Sequence, residues 1–205
     1  MTENKKENLN NRMIKFLFEG APVRGACVQM AEEWQEMIKF HHYPENVAAL
    51  LGQFTAGALL LSSTIKFEGS LILQVKGSGP IAFIYAEVRN PMSVRAMAEI
   101  REGAEIKPEM DLQELINKDG KGLCALILDP KDRRPGVQPY QGMVSLESNS
   151  VAENLENYMA KSEQLETKLY LAADCKKLGG LVIQKMPSVG GNVSEISDPD
   201  AWGRI

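Results

Sequence analysis

The sequence predicts an α+β fold, in which hairpins build an antiparallel or mixed sheet and helices flank it within a single core domain. Short β-type runs are separated by Gly- and Pro-rich turn signals, and one long uncharged segment has the period of a helix. The composition of the 205 residues, 44% hydrophobic and 24% charged, is that of a globular chain. A chain of this length buries about 70% of its unfolded surface on folding, so a core can form without disulfides.

The first predicted elements are a hairpin and a helix. Strands are predicted at Met13–Glu19 and Val23–Met30, because β-type runs flank the turn signal Gly20-Ala21-Pro22. A helix is predicted at Ala31–Phe40, where apolar side chains recur at helical spacing, and it ends before Pro44.

A second, long helix follows. Val47–Ile65 contains nineteen residues without a charge, close to the ~20 that span a bilayer. Polar side chains such as Gln53 interrupt this segment, and Ala48, Gly52 and Ala56 form a stripe of small residues that allows close packing. These features favour a buried core helix over a membrane span, so no membrane partner is expected.

The middle of the chain contains the clearest hairpin, which joins Leu71–Lys76 to Ile81–Val88 through Gly77-Ser78-Gly79-Pro80. Val94–Ile100 is predicted to be another strand, with a helix as the alternative. A short helix around Asp111–Asn117 precedes the next hairpin.

That second hairpin joins Leu123–Leu128 to Tyr140–Leu146 across the Pro-rich residues 129–139. Ser150 and Glu153 then have the spacing of a capping box, in which the hydroxyl and the carboxylate satisfy amides at the start of a helix reciprocally.

The helix that begins there is predicted to reach about Glu163. A third hairpin joins Thr167–Ala173 to Leu181–Met186 around the turn signal Leu178-Gly179-Gly180.

Three regions are predicted along the chain. Residues 1–12 form a polar N-terminal arm, residues 13–187 form the core domain, and residues 188–205 begin a linker, because Gly, Asn, Ser and Asp replace the apolar pattern there. Residues 1–11 contain no apolar segment of the kind that a secretory signal needs, so a cytoplasmic location is predicted.

Charge and reactive side chains exclude several functions. The 23 Lys and Arg are scattered and the net charge is −4, which argues against a nucleic-acid partner. Cys27, Cys124 and Cys175 are far apart and form no C-x-x-C, so neither a disulfide framework nor a metal site is predicted. The two histidines are adjacent and suggest no catalytic pairing, so no catalytic residue is predicted.

The strands have one apolar face and one mixed face. Alternation assigns ten side chains to the apolar face: Leu71, Leu73, Val75, Ile81, Phe83, Tyr85, Leu169, Leu171, Leu181 and Ile183. On the mixed face it places Ile72, Ile84, Tyr170, Val182 and Met186 beside polar residues. A sheet whose second face is half apolar has something covering that face at least part of the time.

Six phrases stand in series along the chain: Arg12–Glu19 with Val23-Arg24-Gly25, Leu50-Leu51-Gly52, Gly77-Ser78-Gly79-Pro80, Tyr140-Gln141-Gly142, Ser162–Thr167, and Gly179-Gly180 with Gln184-Lys185-Met186-Pro187. Together they resemble the N-terminal core of the heat-shock protein 33 family, the redox-regulated bacterial chaperones. The resemblance covers about Met13 to Pro187, and Asp198–Trp202 resembles the opening of the family's linker.

This resemblance implies a helical linker over the core and a C-terminal module in which four thiolates, spaced C-x-C and C-x-x-C, hold zinc. Oxidation of those thiolates forms two disulfides, releases the metal and unfolds the linker. Neither spacing is present here, so Cys27, Cys124 and Cys175 are given no metal or redox role. We expect no cofactor in this chain, zinc in the full-length protein, and no redox switch within these residues.

The function that the resemblance implies is an ATP-independent holdase, not an enzyme, which binds unfolded or oxidatively damaged client proteins during heat or oxidative stress. Client contacts are predicted on the mixed sheet face, which the linker would cover: Ile72, Ile84, Met143, Tyr170, Val182 and Met186. Two alternatives stay open. One is a module that assembles with itself, for example as a homodimer, or with one fixed partner. The other is a small enzyme whose site the sequence does not show.

Overall fold

A computed structural model describes residues 11–89, 93–132, 136, 138–186 and 201–204. Within them lie nine strands and five helices, in the order β1 Arg12–Leu17, β2 Val23–Met30, α1 Glu32–Ile38, α2 Glu45–Thr64, β3 Gly69–Lys76, β4 Ile81–Arg89, β5 Ser93–Ile100, α3 Leu112–Ile116, β6 Leu123–Pro130, β7 Tyr140–Ser145, α4 Val151–Lys161, β8 Thr167–Ala173, β9 Leu178–Lys185 and α5 Ala201–Arg204. Most of the predicted N-terminal arm and of the predicted linker lies outside the described residues.

The strands form two antiparallel sheets, one of four strands in the order β1-β2-β9-β8 and one of five in the order β5-β4-β3-β6-β7. The predicted α+β class is therefore confirmed, and its hairpins are divided between two sheets. The first and last hairpins of the chain meet in the four-stranded sheet, where Ala26 on β2 lies opposite Val182 on β9.

Helix α2 lies between the two sheets and contacts strands of both. It is long and apolar enough to cross a membrane, but 78% of its most apolar stretch is buried within the protein. The small residues are needed for that packing, since a Cβ on Gly52 would collide with Ala173 on β8 and stand 3.2 Å from the ring of Trp34. The prediction of a buried core helix is confirmed.

The helix caps differ in part from the expected ones. Ser150 Oγ accepts a hydrogen bond from the Glu153 amide at 3.2 Å, as predicted. The Ser150 amide, however, donates to Ser148 Oγ at 3.0 Å, and Ser148 in turn donates to the Glu153 carboxylate. A complete capping box starts α3 instead, where Asp111 and Glu114 each accept from the other's amide.

The last hairpin turns earlier than predicted. Strand β9 begins at Leu178, so Gly179 and Gly180 belong to the strand and residues 174–177 make the turn. Asp174 Oδ1 accepts from the amides of Lys176 and Lys177 at 2.7 and 2.8 Å, which closes that turn.

The free edges of both sheets are partly occupied by side chains. Tyr43 Oη donates to the carbonyl of Ala98 on β5 and accepts from its amide, both at 2.9 Å. On β8, the amide of Leu169 donates to Glu156 Oε1 at 2.7 Å. Such contacts use edge groups that could otherwise pair with another strand. Residues 94–100 lie in β5, which pairs with β4, so the prediction of a strand rather than a helix there is confirmed.

Candidate binding surfaces

Each sheet packs its inner face against α2 and turns its outer face away from the core. The outer face of the five-stranded sheet is defined by large apolar side chains from all five strands, several of them well exposed: Ile72, Phe83, Tyr85, Met97, Leu123, Ile127 and Met143. Phe83 and Tyr85 stack with ring centroids 6.3 Å apart. This face offers aromatic rings on β4 and flexible methionines on the edge strands β5 and β7, a combination suited to apolar partners of varied shape.

A charged cluster interrupts the outer face of the five-stranded sheet. Glu87 is buried, and it accepts hydrogen bonds from Arg89 at 2.9 Å and from the Tyr85 hydroxyl at 3.1 Å. Burial alone would raise the pKa of Glu87, but hydrogen bonds from Ser70, Arg89 and Tyr85 together hold it below its usual value. Burial and the neighbouring Glu87 raise the pKa of Tyr85. Glu87 is thus a carboxylate at neutral pH, and its charge is compensated within the face.

The outer face of the four-stranded sheet is also apolar. It carries Ile14, Phe16, Cys27, Tyr170, Leu181 and Ile183. The ring of Phe16 lies on Gly25, in the space that a Cβ there would occupy. The ring of Phe16 therefore covers Gly25, and the chain needs a glycine at this position.

The six residues predicted to contact clients lie in four places: the two outer faces, the end of β9 and the core. Ile72 and Met143 lie on the outer face of the five-stranded sheet, and Met143 is 48% exposed. Tyr170, 58% exposed, lies on the outer face of the four-stranded sheet. Met186 follows β9, half-buried, and its amide donates to the carbonyl of Pro22 at 2.7 Å. Whether these four bind clients stays a prediction.

The assignment of Ile84 and Val182 to the mixed face was wrong. Ile84 is 1% exposed and Val182 is 0% exposed, and both belong to the core that packs on α2. In β4 a β-bulge between Ile81 and Phe83 shifts the alternation, so Ile81 and Ile84 both point inward. The same shift brings Phe83 and Tyr85 to the outer face, where alternation counted from Ile81 did not place them.

In β9 the error has a different cause. The polar Gln184 suggested that its side of the strand faces outward, but Gln184 is 0% exposed. Its side chain is buried because Arg24 donates to Gln184 Oε1 and Gln184 Nε2 donates to Thr167 Oγ1 at 2.9 Å. Once its hydrogen bonds are satisfied, a buried amide is tolerated, and the neighbouring Leu181 and Ile183 turn outward.

The three cysteines lie in three separate environments and do not fit a four-thiolate zinc site. Cys124 is buried on the inner face of the five-stranded sheet, and burial raises its pKa to about 12. Cys27 is half-buried on the outer face of the four-stranded sheet, and Cys175 is exposed in the β8–β9 turn. Across the described ranges, no three His, Cys, Asp or Glu side chains come together as metal ligands would.

Comparison with known proteins gives one consistent result. The family model described as Hsp33 protein matches residues 11–201. The 33 kDa chaperonin of Methylobacillus flagellatus is 36% identical over 198 residues, which cover 96% of this chain and 63% of the relative. The 33 kDa chaperonin of Neisseria gonorrhoeae is 39% identical over 198 residues, covering 97% of this chain and 62% of the relative. This chain therefore spans less than two thirds of the length of these relatives.

A solved structure has a similar fold. The crystal structure of the 33 kDa chaperonin from Thermotoga maritima superposes with a TM-score of 0.70 at 21% sequence identity. The match covers 89% of this chain and 64% of that chain.

Proposed function

Because the chain belongs to the Hsp33 protein family, we propose that it forms the core of an ATP-independent holdase, which binds unfolding proteins and keeps them from aggregating. The relatives named 33 kDa chaperonin support the chaperone assignment. Holding a client requires a surface rather than a reaction centre, so we propose no catalytic role. A bacterial cytoplasmic location is part of the same proposal.

The outer face of the five-stranded sheet is the observation that carries this proposal. Met97, Leu123 and Met143 are exposed there, beside the half-buried rings of Phe83 and Tyr85. Removing apolar area from water contributes about 25 cal/mol per Å² and has no directional requirement. Such a surface can therefore bind many partners that share only the exposure of apolar side chains. Since methionine adapts to irregular shapes, this face suits unfolded clients better than one fixed partner.

Regulation is proposed only for a protein of the relatives' full length, since this chain covers 63% and 62% of the two relatives. A zinc module with four thiolates would supply the redox switch there. Cys27, Cys124 and Cys175 would take no part in it, because they lie apart in the fold. This core by itself is expected to hold clients under reducing conditions too.

The experiment is an aggregation assay in excess dithiothreitol, with light scattering from a thermally unfolding enzyme as the signal. The wild-type chain should suppress scattering at near-stoichiometric ratios. The double variant Met97→Glu/Met143→Glu places two charges on the outer face of the five-stranded sheet and should lose most of the suppression. A matched control, Leu17→Glu/Phe40→Glu, changes two exposed apolar side chains that lie off both outer faces. It should behave as wild type.

Two results would contradict the proposal. No suppression by the wild-type chain would exclude holding by this core. Equal suppression by both double variants, with unchanged melting temperatures, would exclude the outer face of the five-stranded sheet as the client surface.

Self-association into a homodimer is a second proposal for the same apolar faces. Since Tyr43 and Glu156 occupy edge groups of β5 and β8, contact between faces is favoured over pairing at those edges. Sedimentation velocity of the wild type and of Met97→Glu/Met143→Glu measures whether the homodimer forms and whether it needs the outer face of the five-stranded sheet. A homodimer that binds no unfolded client would favour the assembly-module function over the holdase.

A further inference from the structure

A cleft between the two sheets has the size and lining of a small-molecule site. It lies at the C-terminal end of α2 and has a volume of about 410 Å³, within the usual range for ligand pockets. Its apolar walls come from the end of α2, from β6, from α4 and from the segment after α4: Ile65, Leu126, Leu128, Met159 and Leu165. Its charged and phenolic lining residues are Arg24 on β2, Tyr140 on β7, Tyr158 on α4, and Glu163.

Arg24 is held in one orientation by a directional chain of hydrogen bonds. Its Nε donates to Gln184 Oε1 at 3.0 Å, and its Nη2 donates to the same oxygen. Gln184 Nε2 donates to Thr167 Oγ1 at 2.9 Å, and Thr167 donates to the carbonyl of Leu165 at 3.0 Å. Arginine can only donate, so each hydrogen bond in this series is donated in the direction that leads from Arg24 to Leu165. The side chain is therefore fixed beside the cleft.

The charge of Arg24 has no carboxylate partner among the described residues. Its hydrogen bonds go to a neutral amide, and burial lowers its pKa. Buried or half-buried charges in proteins are normally paired, because desolvation of an unpaired ion is costly. Arg24 also lines a neighbouring cavity of about 470 Å³ together with Lys15, which adds a second cation nearby. The part of the cleft beside Arg24 thus favours an anion.

Glu163, the carboxylate that also lines the cleft, already has hydrogen-bond partners. Glu163 Oε1 accepts hydrogen bonds from Tyr158 at 2.7 Å and from Tyr140 at 3.0 Å. Glu163 is also exposed to solvent, so its charge needs no further partner. Arg24, Tyr140 and Glu163 come from three separate segments of the chain, and the fold brings them to this one cleft.

We propose that this cleft binds an amphiphilic carboxylate, with the carboxylate on Arg24 and the hydrocarbon chain between Leu126, Leu128 and Leu165. This site is separate from the outer face of the five-stranded sheet and does not depend on the holdase proposal. A guanidinium binds a carboxylate through paired N–H groups, and the apolar walls bury the chain of the ligand.

The test is calorimetric titration of the whole chain with octanoate. We expect saturable binding of one octanoate per chain. Octanol lacks the charge and octylammonium reverses it, so both should bind much more weakly. Arg24→Gln should weaken octanoate binding by about tenfold or more, and Arg24→Lys should restore part of it. The control Arg95→Gln removes an exposed arginine on β5 and should leave the affinity unchanged.

The larger side chain of Leu165→Trp should fill the cleft and leave Arg24 in place. This variant therefore tests the site even if Arg24→Gln does not fold. The variant Met97→Glu/Met143→Glu should bind octanoate as the wild type does, which separates this site from the outer face. Equal affinity for octanoate and octylammonium, or full binding by a folded Arg24→Gln or Leu165→Trp chain, would overturn the proposal.

Discussion

Leu60 and Gly180 meet where α2 packs on the four-stranded sheet, and the Cδ1 atom of Leu60 lies 2.9 Å from the position that a Cβ on Gly180 would take. The Tyr170 carbonyl is equally close to that position. The helix can approach the sheet this closely only because β9 has no side chain at this point. Gly179, the preceding residue, has only the Val28 carbonyl nearby, at 3.3 Å.

Gly180→Ala should therefore destabilise the fold by about 1–3 kcal/mol, the usual cost of overpacking a close contact. Gly179→Ala is the matched control and should change the free energy of unfolding much less. Urea denaturation of both variants measures the difference. Equal effects would mean that α2 shifts to accommodate the added methyl group.

The buried amide of Gln184 gives a second prediction. Gln184→Leu removes the acceptor for Arg24 and the donor for Thr167, so both partners lose a hydrogen bond. We expect a loss of about 1–3 kcal/mol in the free energy of unfolding, the cost of unsatisfied buried polar groups. Gln74→Leu, at a half-buried position on the outer face of the five-stranded sheet, should be close to neutral. A higher free energy of unfolding for Gln184→Leu would show that apolar packing at this position stabilises the fold more than the hydrogen bonds of Gln184 do.

The lowered pKa of Glu87 predicts that the free energy of unfolding decreases as this carboxylate is protonated in acid. Its carboxyl titrates near 4.5 without the fold and below that value in the folded protein. Its contribution to stability is therefore present above pH 4.5 and is lost as the pH falls through the lower, folded value. Glu87→Gln should cost about 1.5 kcal/mol at pH 7 and should flatten the dependence of stability on pH below 4.5.

Denaturation curves at pH 7, 5 and 3 measure this dependence. Glu99→Gln changes an exposed carboxylate on β5 and serves as the control, with the slope of the wild type. An unchanged acid slope in Glu87→Gln would assign the acid sensitivity to other groups.

The three cysteines should differ in reactivity. The thiolate is the reactive form, and burial raises the pKa of Cys124 to about 12, so this thiol stays protonated at pH 8. Cys175 is exposed and should be alkylated first, Cys27 should follow, and Cys124 should react only on unfolding. Mass spectrometry of iodoacetamide-treated protein, with and without urea, gives the order. Early labelling of Cys124 in the native protein would show that the inner face of the five-stranded sheet opens.

Stability should also decline at high pH, because a thiol whose pKa rises on folding favours the folded state only while protonated. That contribution is complete below the ordinary thiol pKa, 9.0, and is lost between there and about pH 12. Cys124→Ala removes this component, and its denaturation at pH 8 and pH 10 isolates it.

Much of the fold follows from local sequence. A turn such as Gly77-Ser78-Gly79-Pro80 is set by residues that are adjacent in the sequence, and so is the helical spacing of α2. The hairpins and the core helix were therefore predicted at nearly their observed positions. The outward position of Ile72 also followed from alternation within its strand.

Only the tertiary structure decided how those elements combine. The division into two sheets depends on the pairing of β2 with β9, which are far apart in the chain. The inward position of Ile84 depends on a bulge, and that of Val182 on a buried amide that Arg24 and Thr167 satisfy. A strand with apolar residues on both faces does not reveal which side is buried, because the choice depends on what packs against it. The cleft beside Arg24 likewise exists only once the two sheets close on α2.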